Sequence, residues 1–529
     1  MNIYSILASL VIVALSVPCV PNISLTPSVP VQSSTQNSPF VTIISDWPKN
    51  STNFQPYVIE PVGNTVWIAA TSVFNTPQGG KSQSQIINYT LGGTPKVIGT
   101  IKVPIIESLA YDQTRNRLWF LANQSLAYYN LTSKTTVYNV ETSFASSSNP
   151  RYVVINPQTG QLWVTLTNAD QIAMYDPANR QKPTLYDLPN KNSTVWGLAV
   201  AKDSTIWFAE ASAKKIGHLV PCTPPAASCI TEYSPPSSST ISLYAPVQIT
   251  IGSDGIVWFT DHGSNQFGSF NPLTKEWKTF PIGYCFTDCA SGLPNAISFD
   301  SHGKVWFSEH IAGRIAEYDP ATLRLVEYIV HGPSGAYTWW AAPGENNLVW
   351  FASLGLSRIG YVNASIPVNL NVTGPGNITL QRGASQDVAT KVAYSGNGNL
   401  SIAVSPTTPD FPGNGFANQL YSSAGPSETI SGSASQMSRV PISSAWNATL
   451  GSRNVAITVS NGDVNVDILV QVTIVDSTVT YLTIGLVLVV AVGLAILVVK
   501  RPHKTHVAKT LTKKTTTTPQ TSQERRRKK

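Results

Sequence analysis

The clearest pattern along the chain is a short apolar run centred on a tryptophan, which recurs at intervals of 44 to 52 residues. In "KVWFSE", "IVWFTD" and "TIWFAE" the apolar residues follow one another without polar alternation, which indicates a strand covered on both faces. Turn-forming residues bound each run. The seven tryptophans are Trp67, Trp119, Trp163, Trp207, Trp258, Trp306 and Trp350.

Each repeat predicts four short strands. In the sixth repeat these are "PNAISFD", "KVWFSEH", "RIAEYDP" and "RLVEYIV", separated by the turn sequences "SHG", "IAG" and "PATL". Self-similar four-stranded units at this period predict a β-propeller, here with seven blades over residues 38–365. The last repeat lacks an outer strand of its own, and residues 38–46 are expected to supply it and close the ring.

The pattern changes after residue 365 to short alternating strands such as "NLSIAVSP" and "RNVAITVS", separated by Gly, Ser, Pro and Asn. This pattern is typical of an Ig-like β-sandwich, which we expect over residues 366–476 as a stalk. The predicted fold class is therefore all-β. It consists of a seven-bladed β-propeller, an Ig-like β-sandwich and one C-terminal transmembrane helix.

Both ends of the chain carry apolar or basic segments that predict its topology. Residues 1–22 are apolar and uncharged and predict a signal peptide, with an uncleaved N-terminal anchor as the alternative, and residues 23–37 form a Ser/Pro-rich leader. Residues 479–499 contain no charge and are long enough for a transmembrane helix. Residues 500–529 hold 11 Lys or Arg and one Glu, so this basic tail is expected in the cytoplasm. The sequence predicts a single-pass type I protein of the cell membrane.

Charge changes the picture of possible partners. The formal net charge is +7, but the tail alone contributes +10, which leaves −3 for the remaining residues. The exterior part is therefore not a basic surface, and no nucleic-acid partner is expected. Eleven Asn-X-Ser/Thr sequons precede the membrane segment and are candidate glycosylation sites. Among them are Asn88, Asn130, Asn192, Asn371 and Asn447.

Four cysteines follow the signal segment, an even number that favours disulfide bonds outside the cell. Zinc would prefer Cys-X2-Cys spacing, whereas these cysteines are separated by six and by three residues. We expect the pairs to be local, because they fall in loops at opposite faces of the predicted propeller. The expected pairs are Cys222 with Cys229 and Cys285 with Cys289.

The repeats "SDGIVWFTDHGSNQFGSFNPLTKEWKTFPI" and "SHGKVWFSEHIAGRIAEYDPATLRLVEYIV" resemble those of the virginiamycin B lyase (streptogramin lyase) family of seven-bladed propellers. The resemblance covers about residues 40–365. It implies opening of a cyclic depsipeptide by elimination at its ester bond, with Mg²⁺, acids and histidines at the mouth of the central channel. In that chemistry the cation stabilises an enolate-like charge while a base removes the α-proton.

The candidate site residues follow from this resemblance and from their places at the ends of second strands or the starts of first strands. The candidate catalytic residues are Glu309 and His310. The candidate ligands for Mg²⁺ or Ca²⁺ are Asp261, His262, Glu309 and His310. The candidate ligand-binding residues are Glu107, Arg151, Glu210 and Trp339.

The chain departs from the family pattern at these positions. Its acid and histidine are adjacent rather than separated by one residue, and adjacent side chains of a strand point to opposite faces. Asn295 stands where a histidine is expected at the start of the sixth repeat. The acids could instead hold turns or pair with an Arg or Lys of the blades.

Three functions are compatible with these observations, and one of them is a purely structural component of the cell envelope. The first is extracellular recognition of a glycan, a peptide or an envelope protein by a membrane-anchored propeller. The alternative is a metal-dependent lyase of the virginiamycin B type, or a lactone hydrolase, with its site at the propeller mouth. A Glu/His/Asp ring converging on one point would favour the enzyme, and acids used in ion pairs would favour the binding protein.

Overall fold

A computed structural model describes residues 38–48, 51–73, 81–133, 138–283, 292–332, 336–395, 400–405, 420–421, 434–445, 448–476 and 489–490. Through residue 476 the described part of the fold is all-β, as predicted, with 3-10 turns at Thr167–Ala169 and Ala227–Cys229, and Val489 and Val490 are helical. The strands before residue 364 form seven four-stranded antiparallel sheets, six of them built from four consecutive strands. The seventh sheet also takes the first strand of the chain.

The strand bounds of the first four sheets follow in chain order. The first sheet contains β2 (Gln55–Val62), β3 (Thr65–Thr71), β4 (Ser84–Thr90) and β5 (Lys96–Ile101). The second contains β6 (Leu109–Asp112), β7 (Arg117–Ala122), β8 (Ser125–Asn130) and β9 (Asn139–Ser143). The third contains β10 (Pro150–Ile155), β11 (Leu162–Leu166), β12 (Gln171–Tyr175) and β13 (Thr184–Asp187). The fourth contains β14 (Val195–Val200), β15 (Ile206–Glu210), β16 (Lys215–Leu219) and β17 (Ile230–Tyr233).

The remaining three sheets continue this order. The fifth contains β18 (Pro246–Ile251), β19 (Val257–Asp261), β20 (Gln266–Phe270) and β21 (Trp277–Pro281). The sixth contains β22 (Pro294–Phe299), β23 (Val305–Glu309), β24 (Arg314–Asp319) and β25 (Arg324–Ile329). The seventh contains β26 (Thr338–Pro343), β27 (Leu348–Ser353), β28 (Arg358–Asn363) and β1 (Val41–Ile43).

The first strands of successive sheets pack against one another in a closed circle. Strand β2 contacts β6, β6 contacts β10, and the series continues through β14, β18, β22 and β26, which contacts β2 again. Strand β1 pairs with β28, with Val41 opposite Val362, and so lies where the sequence analysis places residues 38–46. This circular arrangement of small sheets is propeller-like.

The repeated "VWF" and "IG" elements lie next to each other across the second and third strands. Phe259 is directly opposite Gly268, and a Cβ atom at Gly268 would lie 2.6 Å from Phe259 Cζ. The same pairing joins Phe351 to Gly360. The buried phenylalanine ring therefore covers the backbone of the neighbouring strand, and any side chain there would displace it. This packing is the physical reason for the recurring glycine.

The described residues between 370 and 475 form a C-terminal β-domain of two sheets. Its strands are β29 (Leu370–Thr373), β30 (Asn377–Gln381), β31 (Ser385–Tyr394), β32 (Ser401–Ser405), β33 (Leu420–Tyr421), β34 (Ala434–Ser444), β35 (Gly451–Ser460) and β36 (Val464–Val475). One sheet has the order β29-β31-β34-β33. The other runs β36-β35-β32, and its strand β36 also pairs with β30 and with β25 of the sixth propeller sheet. The C-terminal β-domain thus continues a propeller sheet rather than hanging from a linker.

Several sequence predictions fall outside the described residues. They are the signal peptide, the leader, the basic tail, Cys285, Cys289 and Asn447. The predicted membrane helix at 479–499 also lies outside them, apart from Val489 and Val490. In the part of the chain that the structure describes, no helix has the length and apolar character needed to cross a membrane.

Candidate functional site

The end of each second strand lies beside the start of the first strand of the same sheet. Pro246 is opposite Asp261, Pro294 is opposite Glu309, and Val195 is opposite Glu210. Because the first strands line the centre of the circle, residues at these positions meet around one end of it. We call this end the mouth.

One position of each first strand recurs around the mouth. In the fourth sheet, Phe208 follows the repeat tryptophan and pairs with Leu198 of the first strand. The recurring position is two residues before Leu198 and is held there by Trp196. The same count gives the position in the other six sheets. The seven residues at this position, which we call the mouth ring, are Tyr57, Glu107, Arg151, Trp196, Val247, Asn295 and Trp339. The repeat therefore presents one side chain per sheet at the mouth.

One half of the mouth ring is held by a buried ion pair. Arg151 donates hydrogen bonds to both carboxylate oxygens of Glu107, and its guanidinium lies 4.0 Å from the centre of the Trp196 indole. Burial alone would lower the pKa of Arg151, but the charge of Glu107 outweighs it, and the pKa is raised. Burial raises the pKa of Tyr57 well above its ordinary value, helped by Glu107 and opposed by Arg151. Arg151 is thus charged and Tyr57 is a neutral phenol at pH 7.

The other half carries two histidines. His262 and His310 follow the second strands of the fifth and sixth sheets, where the mouth ring has the shorter side chains Val247 and Asn295. Their imidazole rings are stacked with centres 5.8 Å apart. The ring of His310 also meets Trp339 edge-on at 4.8 Å, and Trp339 lies 5.0 Å from Tyr57. A continuous row of side chains therefore connects the histidines to the ion pair.

Both histidines are neutral at pH 7. Burial lowers the pKa of His262 to about 4, with a small opposing effect of its contact with the Pro294 carbonyl. Burial and then the charge of His262 lower the pKa of His310 to about 3. His262 Nδ1 lies 3.1 Å from the carbonyl oxygen of Pro294, which only accepts, so Nδ1 carries the proton and Nε2 is the basic atom. His310 Nδ1 is buried and has no hydrogen-bond partner among the described residues.

Glu309 points away from its neighbour His310 and into the sixth sheet. Its carboxylate accepts from Arg314 Nη2 at 2.5 Å, and Arg314 Nη1 lies 2.7 Å from Glu327. Glu327 also accepts from the Gly283 backbone and from Asn465 of the C-terminal β-domain. Asp467 lies in the same buried region and accepts from Thr458. We call the four residues Glu309, Arg314, Glu327 and Asp467 the junction cluster.

Asp261 is likewise turned away from His262. Its carboxylate accepts from the backbone of Ala245 at 2.6 Å, from the backbone of Tyr244, and from Ser264 and Gln266. Burial raises its pKa, while these hydrogen bonds act in the opposite direction. The carboxylate therefore holds the loop that enters the fifth sheet. It shares no ligand position with the imidazole beside it.

Glu210 occupies the same place in the fourth sheet, with Lys215 as its partner across the strands. Lys215 Nζ lies 2.6 Å from Glu232 of the fourth strand, so this cation pairs with Glu232 and not with Glu210, unlike Arg314, which contacts both acids of the sixth sheet. Burial and the nearby charge of Glu232 raise the pKa of Glu210 to about 7. The acids that end the "VWF" strands thus occupy a recurring structural position, as the alternative interpretation of the sequence allowed.

A metal site requires several donor atoms around one point. At the mouth, the acids next to the histidines do not supply such donors. Among the described residues, no three His, Cys, Asp or Glu side chains lie close enough together to hold a metal ion. The two histidines are neighbours, but Asp261 and Glu309 are directed elsewhere. These residues do not fit a Mg²⁺ or Ca²⁺ centre as they stand, and we derive no step through a metal.

The remaining predicted site residues lie in separate places. Cys222 and Cys229 are disulfide-bonded, with Cα atoms 6.0 Å apart. The sequon residues Asn88 and Asn130 are half-buried, whereas Asn192 and Asn371 are exposed.

Tyr57, Trp196 and the structural role of Arg314 were not predicted from the sequence. Tyr57 and Trp196 share the strand position of Arg151, so aligning the first strands of the repeats would have found them.

The fold and the mouth together define an all-β, propeller-like protein with an aromatic, charged and imidazole-bearing mouth. The chain belongs to the virginiamycin B lyase family, whose sequence profile matches residues 104–378. That match covers the second to seventh sheets and the start of the C-terminal β-domain, as the resemblance of the repeats predicted.

Solved structures of similar fold include members of the same family. Virginiamycin B lyase from Staphylococcus aureus is 21% identical, with 61% of this chain and 98% of that chain covered and a TM-score of 0.48. A catalytically inactive variant of that enzyme with quinupristin has the same identity and coverage and a TM-score of 0.49. A streptogramin B lyase structure is 23% identical, with 58% and 93% covered and a TM-score of 0.47. No curated protein matches the chain by sequence.

Proposed function

We propose that the chain is a membrane-anchored cell-surface recognition protein. Its seven-bladed propeller binds a ligand at the mouth ring, and its Ig-like C-terminal β-domain serves as the stalk. The observation that carries this proposal is the row of side chains from His262 through His310, Trp339 and Tyr57 to the Arg151 ion pair. The predicted signal peptide, membrane helix and basic tail support an extracellular position for the propeller.

The chemistry of the mouth favours a ligand with both ring faces and hydrogen-bonding groups. Indole and phenol rings offer flat apolar surfaces, while Arg151 and the two neutral imidazoles offer polar contacts. Glu309 is instead used in an ion pair with Arg314, and Asp261 holds the loop that enters the fifth sheet through hydrogen bonds. A glycan, a peptide or an exposed segment of an envelope protein meets these requirements.

The test is binding of the detergent-solubilised full chain to immobilised glycan and peptide libraries, followed by calorimetry with the strongest hit. Replacing Trp196, whose indole is half-exposed at the mouth, by alanine should weaken binding at least tenfold. Leu273→Ala is the matched control, because Leu273 is exposed in a turn between outer strands. Equal affinity in Trp196→Ala, Trp339→Ala and the control would refute binding at the mouth.

His310 supports a second candidate, an elimination of the virginiamycin B lyase type. The imidazole of His310 is neutral, and its buried Nδ1 has no hydrogen-bond partner among the described residues, so a ring nitrogen is available to accept a proton; its lowered pKa of about 3 makes it a weak base before a ligand binds. In this reaction His310 would take the α-proton of a cyclic depsipeptide while the ester C–O bond breaks and the carboxylate leaves. Membership of the family supports this candidate alongside the geometry.

Mass spectrometry of a cyclic depsipeptide incubated with the chain tests this second candidate. Elimination opens the ring without changing the mass, whereas a lactone hydrolase would add one water. His310→Ala should abolish the opening, and His302→Ala, an exposed histidine in the turn between β22 and β23, should not. An unchanged substrate after incubation with the unaltered chain would eliminate this candidate and leave the binding proposal intact.

A further inference from the structure

A cleft lies between the fifth propeller sheet and the C-terminal β-domain. Its volume is about 760 Å³, within the range of roughly 300–1,000 Å³ that small-ligand pockets occupy. One wall is formed by residues 237–242 and strand β21, and the other by the starts of β30 and β35. Two hydrogen bonds cross it, from Thr240 Oγ1 to the Ser452 carbonyl at 2.6 Å and from Asn454 Nδ2 to the Thr279 carbonyl at 2.8 Å.

The lining of this cleft combines hydroxyl and amide groups with apolar side chains such as Trp277, Phe280 and Leu450, a mixture that suits the polar edges and apolar faces of a sugar. Ser238, Ser239 and Thr240 face Asn377, Asn454 and Gln471 across it. Such a lining holds water, and an occupant rich in hydroxyl groups can replace the hydrogen bonds of that water. An apolar peptide or an acyl chain would leave these groups without partners. The chemistry of the walls therefore fits a carbohydrate.

A sequon opens directly into the cleft. Asn377, Ile378 and Thr379 begin strand β30, and the side chains of Asn377 and Thr379 are both exposed. Since alternate residues of a strand share one face, the asparagine amide and the threonine hydroxyl are presented together. Ile378 and Leu380 face the domain interior instead. Beside Asn377, Gly376 has open space where a side chain would stand.

We propose that Asn377 carries an N-linked glycan whose first sugars occupy this cleft. The inference rests on the extracellular position in the proposed function. The donor is a lipid-diphosphate-linked oligosaccharide. A bond forms from Asn377 Nδ2 to the anomeric carbon, the bond from that carbon to the diphosphate breaks, and the amide loses one proton. The attached sugars contact both the propeller and the C-terminal β-domain and so connect the two, with no further contact between protein residues.

The experiment uses the full chain produced in a secretory host. Glycopeptide mass spectrometry should show Asn377 occupied. Amidase release of its glycan should be at least tenfold slower from the native chain than from the denatured chain. Asn371, an exposed sequon residue on β29 outside the cleft, is the matched control and should be released at similar rates in both states. The Asn377→Gln variant should lower the melting temperature, whereas Asn371→Gln should leave it unchanged.

An unmodified Asn377 in the mature chain would overturn the proposal. Equal native and denatured release rates at Asn377 would also overturn it, because the glycan would then point into solvent. The Thr379→Val variant removes the modification without changing the asparagine, and it should match Asn377→Gln in melting temperature. Failure here would not bear on the mouth, since the Trp196→Ala binding test can be made on deglycosylated protein.

Discussion

Replacing Arg314 by methionine should destabilise the fold strongly, because it removes the one cation of the junction cluster. Arg314 has only 3% of its side chain exposed, and it pairs with Glu309 at 2.5 Å and with Glu327 at 2.7 Å. It also donates to the Gly283 carbonyl at 3.2 Å. Methionine has a similar length but leaves two buried carboxyl groups without their partner. Breaking a buried pair in this way lowers the free energy of unfolding by about 3–5 kcal/mol. Because two acids lose their partner here, the loss should lie toward the upper end of that range.

The matched control is Lys278→Met, which breaks the ion pair with Glu276. Both side chains of that pair are more than half exposed and lie 3.3 Å apart, so the expected loss is below about 1 kcal/mol. The assay is denaturant unfolding of both variants followed by tryptophan fluorescence. The loss in Arg314→Met should also be larger at pH 8 than at pH 4.5, because acid pH supplies protons to the abandoned carboxylates. An equal loss in the two variants would refute the assignment of Arg314 as the central support of the junction cluster.

Three further results are expected. Burial raises the pKa of Asp467 well above its ordinary value, so the folded chain holds a proton that the unfolded chain releases above about pH 4; the free energy of unfolding should fall as pH rises, and Asp467→Asn should flatten that slope in denaturation series from pH 4 to 8. Gly268→Ala should cost about 1–3 kcal/mol in the same assay, because its Cβ would lie 2.6 Å from Phe259 Cζ and from the Lys278 carbonyl, while Gly376→Ala, with open space at its Cβ, should cost far less. Reducing the Cys222–Cys229 disulfide, or replacing Cys222 by serine, should lower the free energy of unfolding by about 2–3 kcal/mol, because the short loop that the bond closes is lost. An unchanged melting temperature would contradict a structural role for that bond.

The sequence predicts the propeller-like part of the fold well because its information there is local. Each repeat carries its own apolar strand, its own turns and the glycine opposite the buried phenylalanine. These signals recur and so reinforce one another. The pairing of β25 with β36 has no such signal, because it joins strands separated by more than 130 residues, with Leu325 opposite Asp467. The pattern of apolar and polar residues in these two strands does not specify that they pair with each other.

The same limit explains which residues of the mouth the sequence singled out. Glu107, Arg151 and Trp339 were proposed as ligand-binding residues because their chemistry is conspicuous at the start of a first strand, and the structure places them in one row. Tyr57 and Trp196 hold equivalent positions but read as ordinary strand aromatics. The junction cluster was missed because Arg314 and Glu327 are unremarkable until Asp467 approaches from the C-terminal β-domain.

The acid and the histidine of each adjacent pair differ in how often they recur among the sheets. The acid has a counterpart in the fourth, fifth and sixth sheets, and each time a polar residue at the start of the third strand faces it: Lys215, Gln266 and Arg314. That recurrence is what a structural role of the repeat produces. The histidine occurs only in the fifth and sixth sheets, where Val247 and Asn295 leave room at the mouth for its ring. Adjacent side chains at a strand end point to opposite faces. The carboxylate of each pair therefore points into its sheet, and the imidazole points toward the mouth. For the proposed mouth site we therefore expect a ligand to contact His262 and His310 rather than the carboxylates beside them.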